Sequence, residues 1–366
     1  MHIKISKSSL TEALNNVASV AGSKTSLPVL QNVKIQANDG AATFVCSDLD
    51  TTLVATAECE VVEPGETTIP VKNFAAASGK VVDGLIDLVV VNDNAKVTAG
   101  TSQFSFKGIS AKEFPTIPET TAEPVTIDCA AIREMFRKTA FAMCTDDTRR
   151  TLKSVLLDFS KGEGKALAVA TDGRRLSLIN STVEVPAGFN KSFIIPSKAV
   201  DILVKKLPKD SKCDLIVSKS QLRFVTAKLE LYTKLIDDAY PNYMQVVPKS
   251  VAQKVVVDRA ELAGAIDRIS IFTETDAPTM GLVLADNKIV LSSGETEYGS
   301  SRDEVAIKYE GEKIEMKFNP QYVRDVLNVL DEDEVEIGFN NSSSPAVIRK
   351  VGSEDYIYVV MPLRTT

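Results

Sequence analysis

Two adjacent arginines, Arg174 and Arg175, follow an Asp-Gly pair in the stretch ATDGRRLSL, residues 170–178. A guanidinium group carries several hydrogen-bond donors in one plane, so arginines on a turn can hold carboxylate, phosphate or carbonyl oxygens. The Asp-Gly pair predicts a tight hairpin because glycine tolerates the positive φ of such turns. From these residues alone, the arginines belong either to a solvated hairpin tip or to a binding surface.

The residue types that serve most catalytic and metal chemistry are rare or scattered. His2 is the only histidine and lies at a terminus, so a zinc site or a His-containing triad has no member in the body of the chain. The 49 Asp and Glu residues leave a carboxylate-only metal site open, but their spacing identifies no acid-base pair. We therefore expect no catalytic residues, no metal and no cofactor, with an enzyme kept as an alternative.

Composition is typical of a globular protein of two or three domains: the 366 residues are 44% hydrophobic and 25% charged. The N-terminal MHIKISKSSL lacks a signal-peptide core, and no run reaches the roughly 18 apolar residues of a membrane span. Five cysteines without a C-x-x-C pair predict reduced, mostly buried thiols: Cys46, Cys59, Cys129, Cys144 and Cys213. A cytoplasmic location is expected.

A repeated order of elements fixes the predicted architecture. An amphipathic helix opens each third, with a capping residue four positions before its first apolar anchor: Ser6 and Leu10, Asp128 and Ile132, Asp258 and Leu262. Ser9 with Glu12 is an alternative start for the first of these helices. A second helical pattern follows near Pro70, Pro196 and Asn319, and Pro115, Pro241 and Pro362 mark matching closing segments.

Alternating apolar stretches between these landmarks predict antiparallel hairpins and meanders. Each third is thus an α+β unit, and we expect three tandem similar domains at residues 1–124, 125–250 and 251–366. The two predicted helices of the middle third carry a local excess of base in a chain of net charge −7, for example Arg133 and Arg137 in the first and Lys205 in the second. This excess indicates either an ordinary solvated face or contacts with nucleic-acid phosphates, since no base-reading module is visible. A structural or adhesive tandem-repeat protein is a further alternative.

Five stretches in order resemble the bacterial DNA polymerase III β subunit family, the sliding clamps, over essentially the full length: LPVLQNV (27–33), ATDGRRL (170–176), YPNYMQVVP (240–248), FNPQYVRDVL (318–327) and VVMPLR (359–364). The resemblance implies the DNA clamp fold, with helices lining a ring and antiparallel sheets outside. It also implies a non-catalytic processivity factor, a head-to-tail homodimer that encircles duplex DNA independently of sequence. Implied partners are the replicative DNA polymerase, a clamp loader that consumes ATP, and other clamp-binding replication and repair proteins, without a membrane.

Partners of this family insert a short peptide into a pocket, and the resemblance assigns that pocket here by matching stretch. Its expected members are Leu152, Thr171, Gly173, Arg174, Arg175, Leu176, Pro241, Val246, Asn319, Tyr322, Val359, Met361, Pro362, Leu363 and Arg364. Ordinary core packing is the competing explanation for Leu176, Val246 and Val359, which we expect to be buried. Arg174 is expected to meet the partner peptide, and Arg175 to brace the pocket.

Two further sets of residues follow from the resemblance. Lys24, Arg149, Arg150 and Lys198 are expected to face DNA. The dimer seam is expected to pair an edge strand carrying Phe104 and Phe106 with the region of Ile271 and Phe272. Gln245 stands where a basic residue is common in the family, and Thr365 and Thr366 extend the usual end.

Overall fold

The computed structural model describes residues 1–22, 26–117, 122–162 and 164–363. Within them lie six α-helices: α1 (Lys7–Val17), α2 (Val71–Lys80), α3 (Cys129–Arg137), α4 (Ser197–Lys206), α5 (Arg259–Ser270) and α6 (Pro320–Val329). The first third holds nine strands: β1 (His2–Ser6), β2 (Asn32–Asn38), β3 (Ala41–Ser47), β4 (Thr51–Glu58), β5 (Glu60–Glu63), β6 (Gly65–Pro70), β7 (Leu85–Val91), β8 (Asn94–Ala99) and β9 (Ser102–Lys107).

The remaining strands follow the same order around their helices. The middle third holds β10 (Val125–Asp128), β11 (Ser154–Asp158), β12 (Lys165–Thr171), β13 (Arg175–Thr182), β14 (Ser192–Pro196), β15 (Lys212–Val217), β16 (Gln221–Val225) and β17 (Glu230–Lys234). The last third holds β18 (Gln253–Asp258), β19 (Met280–Ala285), β20 (Lys288–Ser293), β21 (Arg302–Ala306), β22 (Ile314–Phe318), β23 (Glu334–Phe339), β24 (Ala346–Lys350) and β25 (Tyr356–Val360). The predicted α+β repeat is confirmed.

Helix starts agree with the predicted caps. The Ser6 hydroxyl accepts the Ser9 amide at 3.0 Å, and the Asp258 carboxylate accepts the Glu261 amide at 2.7 Å. Each side chain satisfies an amide that has no partner within its own helix. Ser6, rather than Ser9, is therefore the N-cap residue of α1.

The chain forms two compact units, Met1–Ala130 with Asp201–Leu235, and Ala131–Val200 with Ile236–Thr366. The first unit contains a five-stranded sheet, β5-β1-β7-β8-β9, and an eight-stranded sheet, β10-β15-β16-β17-β4-β3-β2-β6. The second contains an eight-stranded sheet, β14-β11-β12-β13-β25-β24-β23-β18, and a four-stranded sheet, β21-β20-β19-β22. The middle third thus shares one sheet with each neighbour, through the antiparallel pairs β17–β4 and β13–β25.

One backbone link recurs in every third. The chain leaving the last strand returns to the edge strand that precedes the second helix, two residues before Pro70, Pro196 or Asn319. The three pairs are Thr68 with Ile109, Ile194 with Ile236, and Lys317 with Leu363. In the last pair the Leu363 amide donates to the Lys317 carbonyl at 2.7 Å.

This link corrects one part of the predicted repeat. Distance along the chain predicts that Pro362 corresponds to Pro115 and Pro241. The structure matches Leu363 to Ile109 and Ile236 instead, so Pro362 precedes the link whereas the other two prolines follow it. The last third is longer between its second helix and its link, so equal distances along the chain do not mark equivalent positions there.

All five thiols are free, and four are buried, as predicted. Burial raises the pKa of the Cys46 thiol to about 12, because a thiolate has no solvation in an apolar core. Among the described residues, no helix is long and apolar enough to cross a membrane.

Candidate functional site

The arginine stretch forms the turn between β12 and β13, as the Asp-Gly pair predicts. Gly173 has φ +90°, which favours glycine. The Asp172 carboxylate accepts the backbone amides of Arg174 and Arg175 at 2.8 and 3.0 Å. The Thr171 hydroxyl donates to the Arg175 carbonyl at 2.6 Å and accepts the Gly173 amide. Thr171 therefore shapes the turn and has its hydroxyl already engaged.

Arg175 points inward and is held on several sides. Its guanidinium bonds Asp172 at 3.0 Å, Asp325 at 2.5 Å and the Phe141 carbonyl at 2.7 Å. The same group lies 4.5 Å from the centre of the Tyr322 ring, a cation–π distance. Burial alone would lower the pKa of Arg175, but Tyr358 and the two carboxylates outweigh it and raise that pKa. Arg175 is thus a permanently charged brace.

Arg174 has the opposite environment. Its side chain is exposed, while its carbonyl accepts the Met361 amide at 2.9 Å. This bond continues the β13–β25 pairing by one residue and places Met361 next to the turn. The outward guanidinium and the half-buried Met361 side chain therefore share one surface.

An apolar cluster lies on the β11–β14 sheet beside this turn. It contains Leu156, Leu167, Val169, Leu176, Leu178, Ile194 and Val359, with Tyr240, Tyr243 and Val247 among the side chains packed against it. Leu176 and Val359 are buried, as predicted. The prediction that Val246 is buried is wrong: Val246 is 37% exposed, and its neighbour Val247 packs on the cluster instead. A 3-10 turn at Tyr243–Gln245 sets this phase, which alternation in the sequence does not reveal.

A cleft of about 870 Å³ opens next to the same segment. It is lined by Gly173, by Met361, Pro362 and Leu363, by Glu315, Met316 and Lys317 of β22, and by Ser342 and Ser343 of the β23–β24 connection. The lining combines apolar side chains with exposed charges and serine hydroxyls, of which that of Ser343 donates to the Asn341 side chain. Such a surface suits a peptide better than a small apolar ligand.

The other expected pocket residues take distinct places. Asn319 caps α6, accepting the Gln321 amide at 2.9 Å, and the Tyr322 carbonyl accepts the Tyr358 hydroxyl at 2.8 Å. Leu152 is half-buried and Pro241 is exposed. Arg364 lies outside the described residues.

Arg149 is the residue whose location differs most from expectation. The resemblance predicts that Arg149 faces DNA, yet its guanidinium donates to the Asp172 carbonyl at 3.0 Å and lies beside Gly173. It therefore belongs physically to the arginine turn, and a DNA contact stays a prediction. Arg150 is exposed and Lys198 is half-buried in α4, while Lys24 lies outside the described residues.

The expected seam residues lie on accessible edges. Phe104 and Phe106 stack at 6.5 Å on β9, which ends the five-stranded sheet. Ile271 is 75% exposed at the end of α5, and Phe272 follows it. Sequence reasoning missed Tyr298, which is 81% exposed and precedes Gly299, against which the Phe272 ring lies.

Comparison with known proteins agrees with this architecture. Models of the N-terminal, central and C-terminal domains of the DNA polymerase III beta subunit match residues 1–118, 126–242 and 244–364. The beta sliding clamp of Pseudomonas putida is 30% identical over 371 residues, covering all of both chains. A crystal structure of the Pseudomonas aeruginosa DnaN sliding clamp bound to griselimycin superposes with a TM-score of 0.94 at 30% identity, and the Bacillus subtilis clamp with 0.94 at 25%, each over the full length of both chains.

Three tandem α+β domains with these matches define a DNA sliding clamp, a class of non-catalytic processivity factors. The chain belongs to the DNA polymerase III beta subunit family.

Proposed function

We propose that this chain works as a head-to-tail homodimer around duplex DNA and tethers the replicative polymerase through the surface beside the arginine turn. One observation carries the assignment of that surface: the Arg175 brace holds exposed Arg174 and Met361 together at an open cleft, next to an apolar cluster. A partner peptide could bury an apolar side chain on the cluster while Arg174 contacts its polar groups. The proposed domain limits are 1–124, 125–250 and 251–366, and the proposed location is the cytoplasm.

The partner peptide should bind this surface weakly enough for partners to exchange. Burying one or two leucine-sized side chains contributes about 1.5–3 kcal/mol each, and the loss of freedom on association offsets much of this. The clamp loader and other clamp-binding proteins would compete for the same surface. Micromolar affinity is the expected result.

The pocket is tested with a labelled peptide carrying the clamp-binding segment of the polymerase. Arg174→Ala combined with Met361→Ala should weaken binding about tenfold or more, as expected for losing an anchor contact. Arg150→Ala is the matched control because it removes an exposed arginine outside the turn, and it should leave peptide binding unchanged. Equal affinity of the double variant and the wild type would place the site elsewhere.

Encirclement is tested by retention on DNA. Protein assembled by the loader on nicked circular DNA should stay bound in high salt and should slide off once the circle is cut. Topology predicts this difference, whereas phosphate contacts alone are weakened by salt on both substrates. Equal retention on circular and linear DNA would contradict the ring.

A further inference from the structure

The cleft is also lined by residues of β22, an edge strand that has outward backbone groups without a partner among the described residues. β22 ends the four-stranded sheet and pairs with β19 on one side only. The Lys317 carbonyl accepts the Leu363 amide, which shows that this carbonyl points away from β19. Peptide groups in an antiparallel strand alternate in direction, so those of Glu315 point away from β19 as well.

The register of the neighbouring hairpin supports this orientation independently. Asp286 and Asn287, with φ of +51° and +59°, form the two-residue turn between β19 and β20. Such a turn closes on a hydrogen-bonded pair, and counting back from it directs the peptide groups of Gly281 and Val283 toward β20. Their partners on β22 are Lys317 and Glu315, which must then sit at non-bonded positions with respect to β19.

Three outward peptide groups consequently remain unoccupied among the described residues: the Lys317 amide and both groups of Glu315. Both side chains are exposed and line the cleft, and the Lys317 ammonium has no ion pair within the described part of the chain. Leu363 already shows that this edge accepts an amide at 2.7 Å. An unpaired edge of this kind is a template for another strand.

We propose that the partner residues flanking the pocket-bound segment add to β22 as an extended strand, bonded to the main chain of Glu315 and Lys317. The proposal rests on the proposed function, because it extends the same bound peptide. Continuity selects this occupant: one cleft joins Gly173 and Met361 to Glu315 and Lys317. Main-chain bonds would tolerate varied flanking sequences, and Lys317 would favour an acidic side chain opposite it.

The test compares a core peptide of the polymerase's clamp-binding segment with the same peptide carrying its natural flanks. Each net hydrogen bond contributes roughly a three- to tenfold gain, so the flanked peptide should bind wild type more tightly by at least that factor. Lys317→Pro removes the outward amide while leaving the bonds to β19, and Lys317→Ala removes the same ammonium but keeps the amide. The flanked peptide should lose the contribution of one hydrogen bond, roughly three- to tenfold, on the proline variant and should retain most of its advantage on the alanine variant.

The core peptide separates the possible failures. Its affinity for each protein is the reference against which the advantage of the flanked peptide is measured, and absence of its binding to wild type would instead overturn the proposed pocket. Equal affinity of core and flanked peptides, or equal weakening by proline and alanine, would overturn strand addition. If circular dichroism shows that Lys317→Pro does not fold, two N-methylated versions of the flanked peptide replace this variant. One version is methylated at the odd-numbered amides of the flank and the other at the even-numbered amides. One version should lose the advantage and the other should not, and identical behaviour of the two versions would contradict the proposal.

Discussion

The Arg175 guanidinium lies 4.5 Å from the centre of the Tyr322 ring and bonds Asp325 on the same helix, 150 positions along the chain. This relationship ties the turn of the middle third to α6. Arg175 thereby positions Arg174 and Met361 without facing the cleft itself.

Loss of this brace should cost stability and peptide affinity together. Arg175→Ala leaves Asp325, whose side chain is 20% exposed, with the Gln321 amide as a donor but without its ion-pair partner, and breaking a buried pair costs about 3–5 kcal/mol. Urea titration measures the first effect, and labelled-peptide binding to the folded fraction measures the second. Arg349→Ala is the matched control, because it breaks the comparably buried pair with Glu336 away from the turn. Arg349→Ala should lower the free energy of unfolding and leave the peptide affinity unchanged. A lower peptide affinity in Arg349→Ala would mean that the loss of affinity in Arg175→Ala follows from lower stability and not from loss of the brace.

The turn glycine should matter for binding beyond its backbone strain. Gly173→Ala places a side chain at φ +90° and within 3.1 Å of the Arg149 guanidinium, so about 1–3 kcal/mol of stability and part of the peptide affinity should be lost. Gly188→Ala meets a similar φ of +87° with nothing within 4 Å. Thermal unfolding should show similar losses for both variants, while only Gly173→Ala should weaken the peptide. Unchanged peptide affinity of Gly173→Ala would mean that the turn is not part of the peptide-binding site.

The dimer should depend on the exposed end of α5. Ile271→Asp would bury an unpaired carboxylate in the proposed seam, which costs several kcal/mol and should give monomers in sedimentation at micromolar concentration. Val351→Asp changes another exposed apolar residue, on the β24–β25 connection, and should leave the dimer intact. A monomeric wild type under these conditions would rule out the seam.

Low pH should remove the contribution that ionised Glu134 makes to the free energy of unfolding. Burial alone would raise the pKa of Glu134, but Arg137 and Lys138 outweigh it and lower that pKa below the ordinary 4.5. The unfolded chain therefore binds more protons, so this stabilisation is present above the ordinary pKa and is lost as the pH falls through the folded pKa. Glu134→Gln should be slightly less stable than wild type at pH 7, by urea titration, and the difference should shrink in acid. A difference that grows in acid would contradict the assignment.

Local chemistry explains what the sequence could predict. Caps at Ser6 and Asp258 and the Asp-Gly turn depend on neighbouring residues, so spacing reveals them. The apolar walls at Leu176 and Val359 follow from strand alternation. The resemblance added the locations of Arg174 and Met361, but the family motif alone does not say that Asp325 completes the brace.

The misses have a different physical origin. Val246 lies after a short 3-10 turn that shifts the alternation by one residue, and Arg149 reaches the turn through a bond to the Asp172 carbonyl, 23 positions away. The unpaired edge of β22 is a property of sheet order, which depends on pairings distant in sequence. None of these leaves a signature in local residue types.

The sheets shared through β17–β4 and β13–β25 make the middle third inseparable as a folding module. Cutting the chain at the predicted domain limits would pass through none of the six described helices, but it would deprive β4 and β25 of a partner strand and leave β13 and β17 with unpaired edges. Isolated fragments would then tend to aggregate edge to edge. Cooperative unfolding should accordingly follow the two compact units rather than the three sequence repeats. The boundaries of the repeated sequence unit and the boundaries of the cooperative folding unit therefore differ in this chain.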